Sequence, residues 1–160
     1  MTPLRIRLHR EYNRWYKWLL RWCWSIQGKD APRVYMFHSV VDEKEQVYSQ
    51  FAISKESFEQ FIIHLVEQGE NAMDAKLLYK AIEQPNNYKH HYCITFDDIY
   101  DTVYTNAYPI LKKYNIPFVI FVTDELVGKV DPWSKMPMIS EEHLREMLVH
   151  PLFGIAWYGA

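Results

Sequence analysis

The sequence predicts an α/β fold with a parallel β-sheet, preceded by an amphipathic helix at the N-terminus. Segments of strand length, rich in β-branched and aromatic residues, alternate with longer segments whose apolar residues recur at helical spacing. One strand segment, residues 117–122, is apolar throughout, which is typical of a parallel strand covered on both faces. This alternation indicates βαβ units, in which a crossover helix connects two parallel strands.

The first 30 residues differ in composition from the rest of the chain and contain the predicted N-terminal helix. They carry seven basic and two acidic side chains, whereas residues 31–160 carry 11 basic and 18 acidic ones. Basic residues recur every three or four positions from Arg7 to Arg21, which places them on one helical face. A Gly-Lys-Asp-Ala-Pro segment then breaks the helix, so we divide the chain after residue 30. The apolar stripe of this helix consists of Leu4, Leu8, Trp15, Leu19 and Trp22.

Capping and breaking residues set the boundaries of the later elements. Ser54, Asp74 and Ser140 carry the side-chain oxygens that are typical of a helix N-cap. Gly69 and Pro85 end the first two of these helices. The predicted elements are a strand over residues 33–38, a polar loop over 41–50, helices beginning at Ser54 and Asp74, a strand over 92–96, a helix over 101–114, a strand over 117–122, a helix beginning at Ser140 and a strand beginning at Phe153.

Composition excludes several classes of protein. A length of 160 residues with 49% hydrophobic and 24% charged residues indicates one ordinary globular domain, not a disordered or fibrous chain. Cys23 and Cys93 lie too far apart in sequence for a zinc knuckle, and two cysteines do not form a disulfide framework. The N-terminal segment contains neither a spanning run of about 20 apolar residues nor the apolar core of a secretory signal. We therefore expect a cytoplasmic protein, peripheral to the inner face of the membrane if its first helix binds lipid.

The segment Thr-Phe-Asp-Asp at residues 95–98 is the best candidate for chemistry. Asp97 and Asp98 follow a predicted parallel strand, and α/β folds place their sites at the carboxyl ends of such strands. One carboxylate could bind a cation while the other accepts a proton from water. The alternative is structural, because acidic side chains also stabilise the N-terminus of the next helix.

The order of short motifs around this segment resembles the polysaccharide deacetylase family, the NodB-homology carbohydrate esterases. The residues Thr-Phe-Asp-Asp are similar to the family's first motif, T-F-D-D-G. Pro-Ile-Leu at 109–111 and Phe-Val-Ile-Phe-Val at 118–122 are similar to the helix end and the strand that come after this motif in the family. Residues 34–40, VYMFHSV, look like the YHxV opening of the poly-N-acetylglucosamine deacetylase branch. The spacing of Ile53, Phe58, Ile62 and Leu65 is also similar to that branch, so the resemblance covers residues 33–158.

The resemblance implies a fold, a reaction and residue roles. The fold is a partial (β/α) barrel of the polysaccharide deacetylase type, and the reaction is the metal-dependent hydrolysis of N-acetyl groups on a cell-surface or extracellular glycan. Asp97 would be the general base and Asp98 a ligand of a divalent metal, usually zinc. His38 ends the first predicted strand, so it could face the same site.

Two positions depart from the family pattern. Ile99 stands where the family has glycine, and a β-branched residue disfavours positive φ, so the turn must give Ile99 an ordinary conformation. Tyr158 stands at the first metal histidine of the second motif, and the second histidine would fall beyond Ala160. We therefore expect a C-terminally truncated domain with one metal ligand, Asp98. This leaves two hypotheses: a deacetylase or its N-terminal piece, and a non-catalytic, membrane-associated or glycan-binding remnant of the family.

The N-terminal helix admits three interpretations. It could lie on an anionic membrane surface, with tryptophans at the headgroups and basic side chains near phosphates. It could bind nucleic acid, which the acidic remainder of the chain argues against, so we expect no nucleic-acid partner. It could also pack against its own domain. The candidate membrane-contact residues are Arg14, Trp15, Lys17, Trp18, Arg21 and Trp22.

Overall fold

A computed structural model describes residues 31–42, 51–151 and 153–157 of the chain. Within these residues, parallel strands form a sheet in the order β1-β5-β6-β7, and a separate pair is formed by β2 and β3. A short strand, β4, also pairs in parallel with β5. The strands are β1 Arg33–Phe37, β2 Ser39–Val41, β3 Ala52–Ser54, β4 Asn71–Ala72, β5 His91–Phe96, β6 Phe118–Val122 and β7 Phe153–Trp157.

Helices lie between consecutive strands from β3 to β7, so the α/β fold with parallel strands is confirmed. Side chains of β5 alternate between two cores: Ile94 and Phe96 contribute to the larger core, and Cys93 contributes to the smaller one. Both faces of β5 are therefore covered, as expected for a parallel strand. The α-helices are α1 Lys55–Glu67, α2 Ala75–Glu83, α3 Tyr108–Lys113 and α4 Glu141–Leu148, with short 3₁₀ helices at Pro85–Tyr88 and Asp124–Leu126 and a π-helix at Val103–Ala107.

The predicted helix caps are confirmed by hydrogen bonds. The side chain of Ser54 accepts from the Ser57 N–H at 3.1 Å, and the Asp74 carboxylate accepts from the Leu77 N–H at 2.7 Å. Ser140 caps α4 in the same way. Each cap satisfies one of the backbone donors that the first turn of a helix leaves without an intrahelical partner.

The helix predicted over residues 101–114 is not continuously α-helical. Its first part is the π-helix, and the Tyr108 N–H donates to the Val103 carbonyl five residues earlier. Pro109 comes next and has no N–H to donate, which removes one α-helical hydrogen bond at this point. The π-helix carries the buried Asn106, whose side-chain amide donates to the Val40 carbonyl of β2 at 2.8 Å. This bond connects the helix to β2, a three-residue strand that the sequence did not predict.

The described strands form an open sheet, and the barrel that the resemblance implies stays a prediction. The sheet ends on β1 and β7 within the described residues. The side chains of Val34 and Met36 on β1 are exposed by 55% and 59%, so the described residues leave one face of this edge strand uncovered. The predicted N-terminal helix, with its membrane contacts, lies outside the described residues and stays a prediction. Among the described helices, none is long and apolar enough to cross a bilayer.

Gly154 allows α2 to pack closely against β7, and we expect its replacement to destabilise the domain. A Cβ atom added at Gly154 would lie 2.8 Å from the Cβ of Ala75 in the first turn of α2. Overpacking of this kind costs about 1–3 kcal/mol of unfolding free energy. We expect Gly154→Ala to lower the denaturant midpoint, measured by circular dichroism.

The matched control removes the opposing methyl group. Ala75→Gly together with Gly154→Ala restores the separation, so the double variant should lose less stability than the sum of the two single variants. Simple additivity of the two losses would contradict the proposed contact.

Candidate functional site

Asp97 and Asp98 lie where β5 ends, between the ends of its two neighbours. The Asp97 N–H donates to the Phe37 carbonyl at the end of β1, at 2.9 Å. Thr123 directly follows β6, and its hydroxyl donates to the Asp98 carboxylate at 3.3 Å. Because all three strands are parallel, these groups share one edge of the sheet, which we call the strand-end rim.

The chain turns at Asp98 and not at Ile99. Asp98 has φ of +47°, a left-handed conformation that aspartate tolerates better than most residues. Ile99 is not among the residues with positive φ, and its side chain is buried. The expectation of an ordinary conformation at Ile99 is therefore confirmed. The isoleucine contributes to the larger core instead of forming the turn.

Burial shifts the titration of Asp97. Partial burial raises the pKa of its carboxyl group, a charge on His38 opposes this rise, and the neighbouring charge of Asp98 adds to it. His38 follows β1, and its ring stacks on Phe51 with centroids 4.8 Å apart. The structure thus places the three predicted site residues at the strand-end rim, while their roles stay predictions.

A loop between β6 and α4, which we call the rim loop (residues 127–139), is hydrogen-bonded to the residues just after Asp98. The Ile139 N–H donates to the Ile99 carbonyl, and the Asp101 N–H donates to the Pro137 carbonyl, both at 3.0 Å. The Tyr100 hydroxyl donates to the Asp131 carboxylate at 3.1 Å. Sequence reasoning did not find this arrangement, because it joins residues 31 to 40 positions apart without a local pattern.

Sequence reasoning also missed a histidine–carboxylate pair beside the motif. Nδ1 of His143 in α4 lies 2.6 Å from the Asp101 carboxylate. The imidazole stacks on Tyr104 with ring centroids 3.9 Å apart, and the Tyr104 hydroxyl donates to Glu146 at 2.5 Å. The partner of His143 lies on another element, 42 residues away in sequence.

Comparison with known proteins identifies the family. Residues 84–152 match the family model described as polysaccharide deacetylase, and this region contains β5, the carboxylate pair and the rim loop. A poly-β-1,6-N-acetyl-D-glucosamine N-deacetylase of Staphylococcus aureus (strain MSSA476) is 34% identical over 114 residues. The chain belongs to the polysaccharide deacetylase family. The alignment covers 71% of this chain and 37% of the S. aureus protein, so the chain matches little more than a third of that relative's length.

Solved structures agree with this assignment to the polysaccharide deacetylases. The structure of IcaB from Ammonifex degensii is 31% identical, has a TM-score of 0.70 and is matched over 82% of this chain and 53% of that chain. A de-N-acetylase from Aggregatibacter actinomycetemcomitans is 29% identical, with a TM-score of 0.66 and coverage of 80% and 54%. The fold of this chain is therefore shared with these two proteins.

The described residues do not by themselves fit a zinc ion. Catalytic zinc sites have three protein ligands, and the resemblance assigns a ligand role here to Asp98 alone. No group of three or more histidine, cysteine, aspartate or glutamate side chains suited to a metal occurs in the described part of the chain. Tyr158, which stands at a family histidine position, lies outside that part.

We expect the pair between Asp101 and His143 to couple the carboxylate motif to α4. Both side chains are partly shielded, with exposed fractions of 25% and 32%. A double-mutant cycle with Asp101→Ala and His143→Ala, followed by chemical unfolding, should give a coupling energy of about 0.5–1.5 kcal/mol.

The control pair lies in the same helix and is solvent-exposed. Arg145 and Glu141 are in contact at 2.5 Å with side chains at least 70% exposed, and pairs of this kind contribute about 0.3–0.5 kcal/mol. A coupling energy for Asp101 and His143 no larger than that of the control would show that the pair does not hold α4 in place.

Proposed function

We propose that this chain removes N-acetyl groups from a poly-N-acetylglucosamine-type glycan, with Asp97 and Asp98 as its catalytic carboxylates. The observation that carries the proposal is the pair Asp97 and Asp98 at the strand-end rim, within the segment that matches the family. The activity for which the S. aureus relative is named supports the choice of a glycan. Because its relatives are named as enzymes, the alternative of a non-catalytic remnant is not favoured.

Asp97 is suited to accept and return a proton. Its raised pKa makes it a stronger base than an exposed aspartate. As water attacks the acetamide carbon, one proton passes from the water to the Asp97 carboxylate and a C–O bond forms. When the C–N bond breaks, the same proton passes to the departing amine, and acetate and the free amino sugar are released.

Asp98 and its neighbours fix the position of this base. The hydroxyl of Thr123 holds the Asp98 carboxylate, and the Phe37 carbonyl holds the backbone of Asp97. These bonds come from two different strands, so they constrain the turn from both sides. Prior positioning of this kind lowers the entropic part of an activation barrier. The family resemblance implies a divalent metal as well, and no step described here depends on it.

The proposal is tested by acetate release from a β-1,6-linked N-acetylglucosamine pentamer incubated with the purified chain. We expect Asp97→Asn to reduce the rate by at least about 100-fold, since a positioned general base typically contributes that much. Asp98→Asn should also lower the rate, and asparagine tolerates the left-handed conformation at this position.

The control variant is Glu83→Gln, an exposed carboxylate at the end of α2, which should leave the rate unchanged. The proposal is contradicted if the wild-type chain releases no acetate. It is equally contradicted if Asp97→Asn and Glu83→Gln release acetate at the same rate as the wild-type chain.

We further propose that zinc, if it binds the chain, binds through Asp98 and weakly. One carboxylate ligand falls short of a complete site, so titration calorimetry should show a dissociation constant above about 1 μM. A tighter zinc complex that disappears in Asp98→Asn would show that further ligands are present. His38 would then be the first residue to replace.

A further inference from the structure

The rim loop is held rigid by hydrogen bonds between its two sides. The Gly128 N–H donates to the Ile139 carbonyl at 2.8 Å, and the Met138 N–H donates to the Lys129 carbonyl at 2.9 Å. Val130 pairs with Pro137 as an antiparallel bridge nearer the tip. A loop with paired sides keeps the residues at its tip in one position relative to the sheet.

The tip of the loop is organised around the buried carboxylate of Asp131. One carboxylate oxygen accepts from the Ser134 N–H at 2.8 Å and from the Tyr100 hydroxyl, and the other accepts from the Trp133 N–H at 3.3 Å. The Asp131 N–H also donates to the Met136 carbonyl at 2.9 Å. These bonds fix the backbone of Trp133, although its side chain is 91% exposed.

The anchor of this tip belongs to the catalytic motif. Tyr100 is two residues beyond Asp98 and forms a bridge with Met138, so the same short segment carries the carboxylate pair and the support of the loop. The loop also leaves the sheet beyond Thr123, whose hydroxyl contacts Asp98. The tip that carries Trp133 is thus held against the segment that directly follows Asp97 and Asp98, at the same edge of the sheet.

We propose that Trp133 is a sugar-binding platform that stacks against a pyranose ring of the glycan and holds the polymer across the carboxylate pair. This inference rests on the proposed function and names one contact of its substrate. An aromatic face presents a large apolar surface with negative quadrupole character, which suits the polarised C–H groups on one face of a pyranose. Because the backbone of the loop is already fixed, little of the ordering cost remains to be met on binding.

A glycan fits this surface better than a lipid bilayer does. Trp133 and Val130 are the large hydrophobic side chains of the rim loop that are more than half exposed, with fractions of 91% and 58%. Two side chains give little apolar area for insertion into a membrane. Approach of the strand-end rim to anionic lipid would also bring Asp97 and Asp98 towards like charges.

The test is titration calorimetry of the full 160-residue chain with the β-1,6-linked N-acetylglucosamine pentamer. We expect Trp133→Ala to weaken binding about fivefold to tenfold, and Trp133→Phe to stay within about threefold of the wild-type affinity. Tyr79→Ala is the matched control, because Tyr79 is 70% exposed on α2 and lies outside the rim loop. Its affinity should equal that of the wild-type chain.

Three further measurements make the outcomes distinct. Thermal unfolding of Trp133→Ala should match the wild-type chain, because an exposed indole contributes little to the core. The fraction that co-sediments with phosphatidylglycerol vesicles should be the same for Trp133→Ala and for the wild-type chain. Acetate release by the wild-type chain and by Asp97→Asn reports on the proposed function independently of affinity.

Equal pentamer affinity of Trp133→Ala and the wild-type chain would overturn the inference, and the proposed function would stand if acetate release still required Asp97. Loss of vesicle binding without loss of pentamer affinity would also overturn it, in favour of a membrane contact. A wild-type chain that neither binds the pentamer nor releases acetate would overturn both proposals. Weaker binding in Trp133→Ala, without acetate release by the wild-type chain, would support the platform and contradict the deacetylase proposal.

Discussion

The parallel pairing of β5 with β1 on one side and with β6 on the other determines the position of every group in the candidate site. Register places Phe37 beside Phe96 and Phe96 beside Ile120, so the three strands reach the same edge together. Only then can the Phe37 carbonyl and the Thr123 hydroxyl hold the two aspartates from opposite sides. A shift of either register by one residue would separate the carboxylates from these partners. It would also turn the core-facing side chains of the shifted strand to the opposite face of the sheet.

Much of the fold is encoded in local sequence signals. Ser54, Asp74 and Ser140 begin helices because their side-chain oxygens satisfy backbone donors within three residues, a relation that the sequence contains directly. The strands around residues 92–96 and 118–122 correspond to apolar runs of strand length. The short strands β2 to β4 could not be predicted in this way, because two or three residues contain too few positions to show a period.

The candidate site was predictable in part, for a similar reason. Asp97 and Asp98 are adjacent in sequence and follow a recognisable strand, so their position could be inferred from the sequence alone. Thr123 and Asp131, by contrast, reach the motif through contacts of 25 and 31 residues in sequence separation. Each of these residues reaches the motif through a long-range hydrogen bond, which no spacing in the sequence marks.

The π-helix at Val103–Ala107 has a consequence for insertions and deletions in this region. A π-helical turn contains one residue more than the α-helical turn it replaces, so the residues before and after it are rotated relative to each other by roughly 100°. The same helical segment can therefore make two contacts: Asn106 donates a hydrogen bond to the Val40 carbonyl, and the ring of Tyr108 packs against the ring of Phe118. Deletion of a single residue would preserve a helix of ordinary geometry, yet it would align only one of these two contacts. The length of this segment is thus constrained as strictly as its composition.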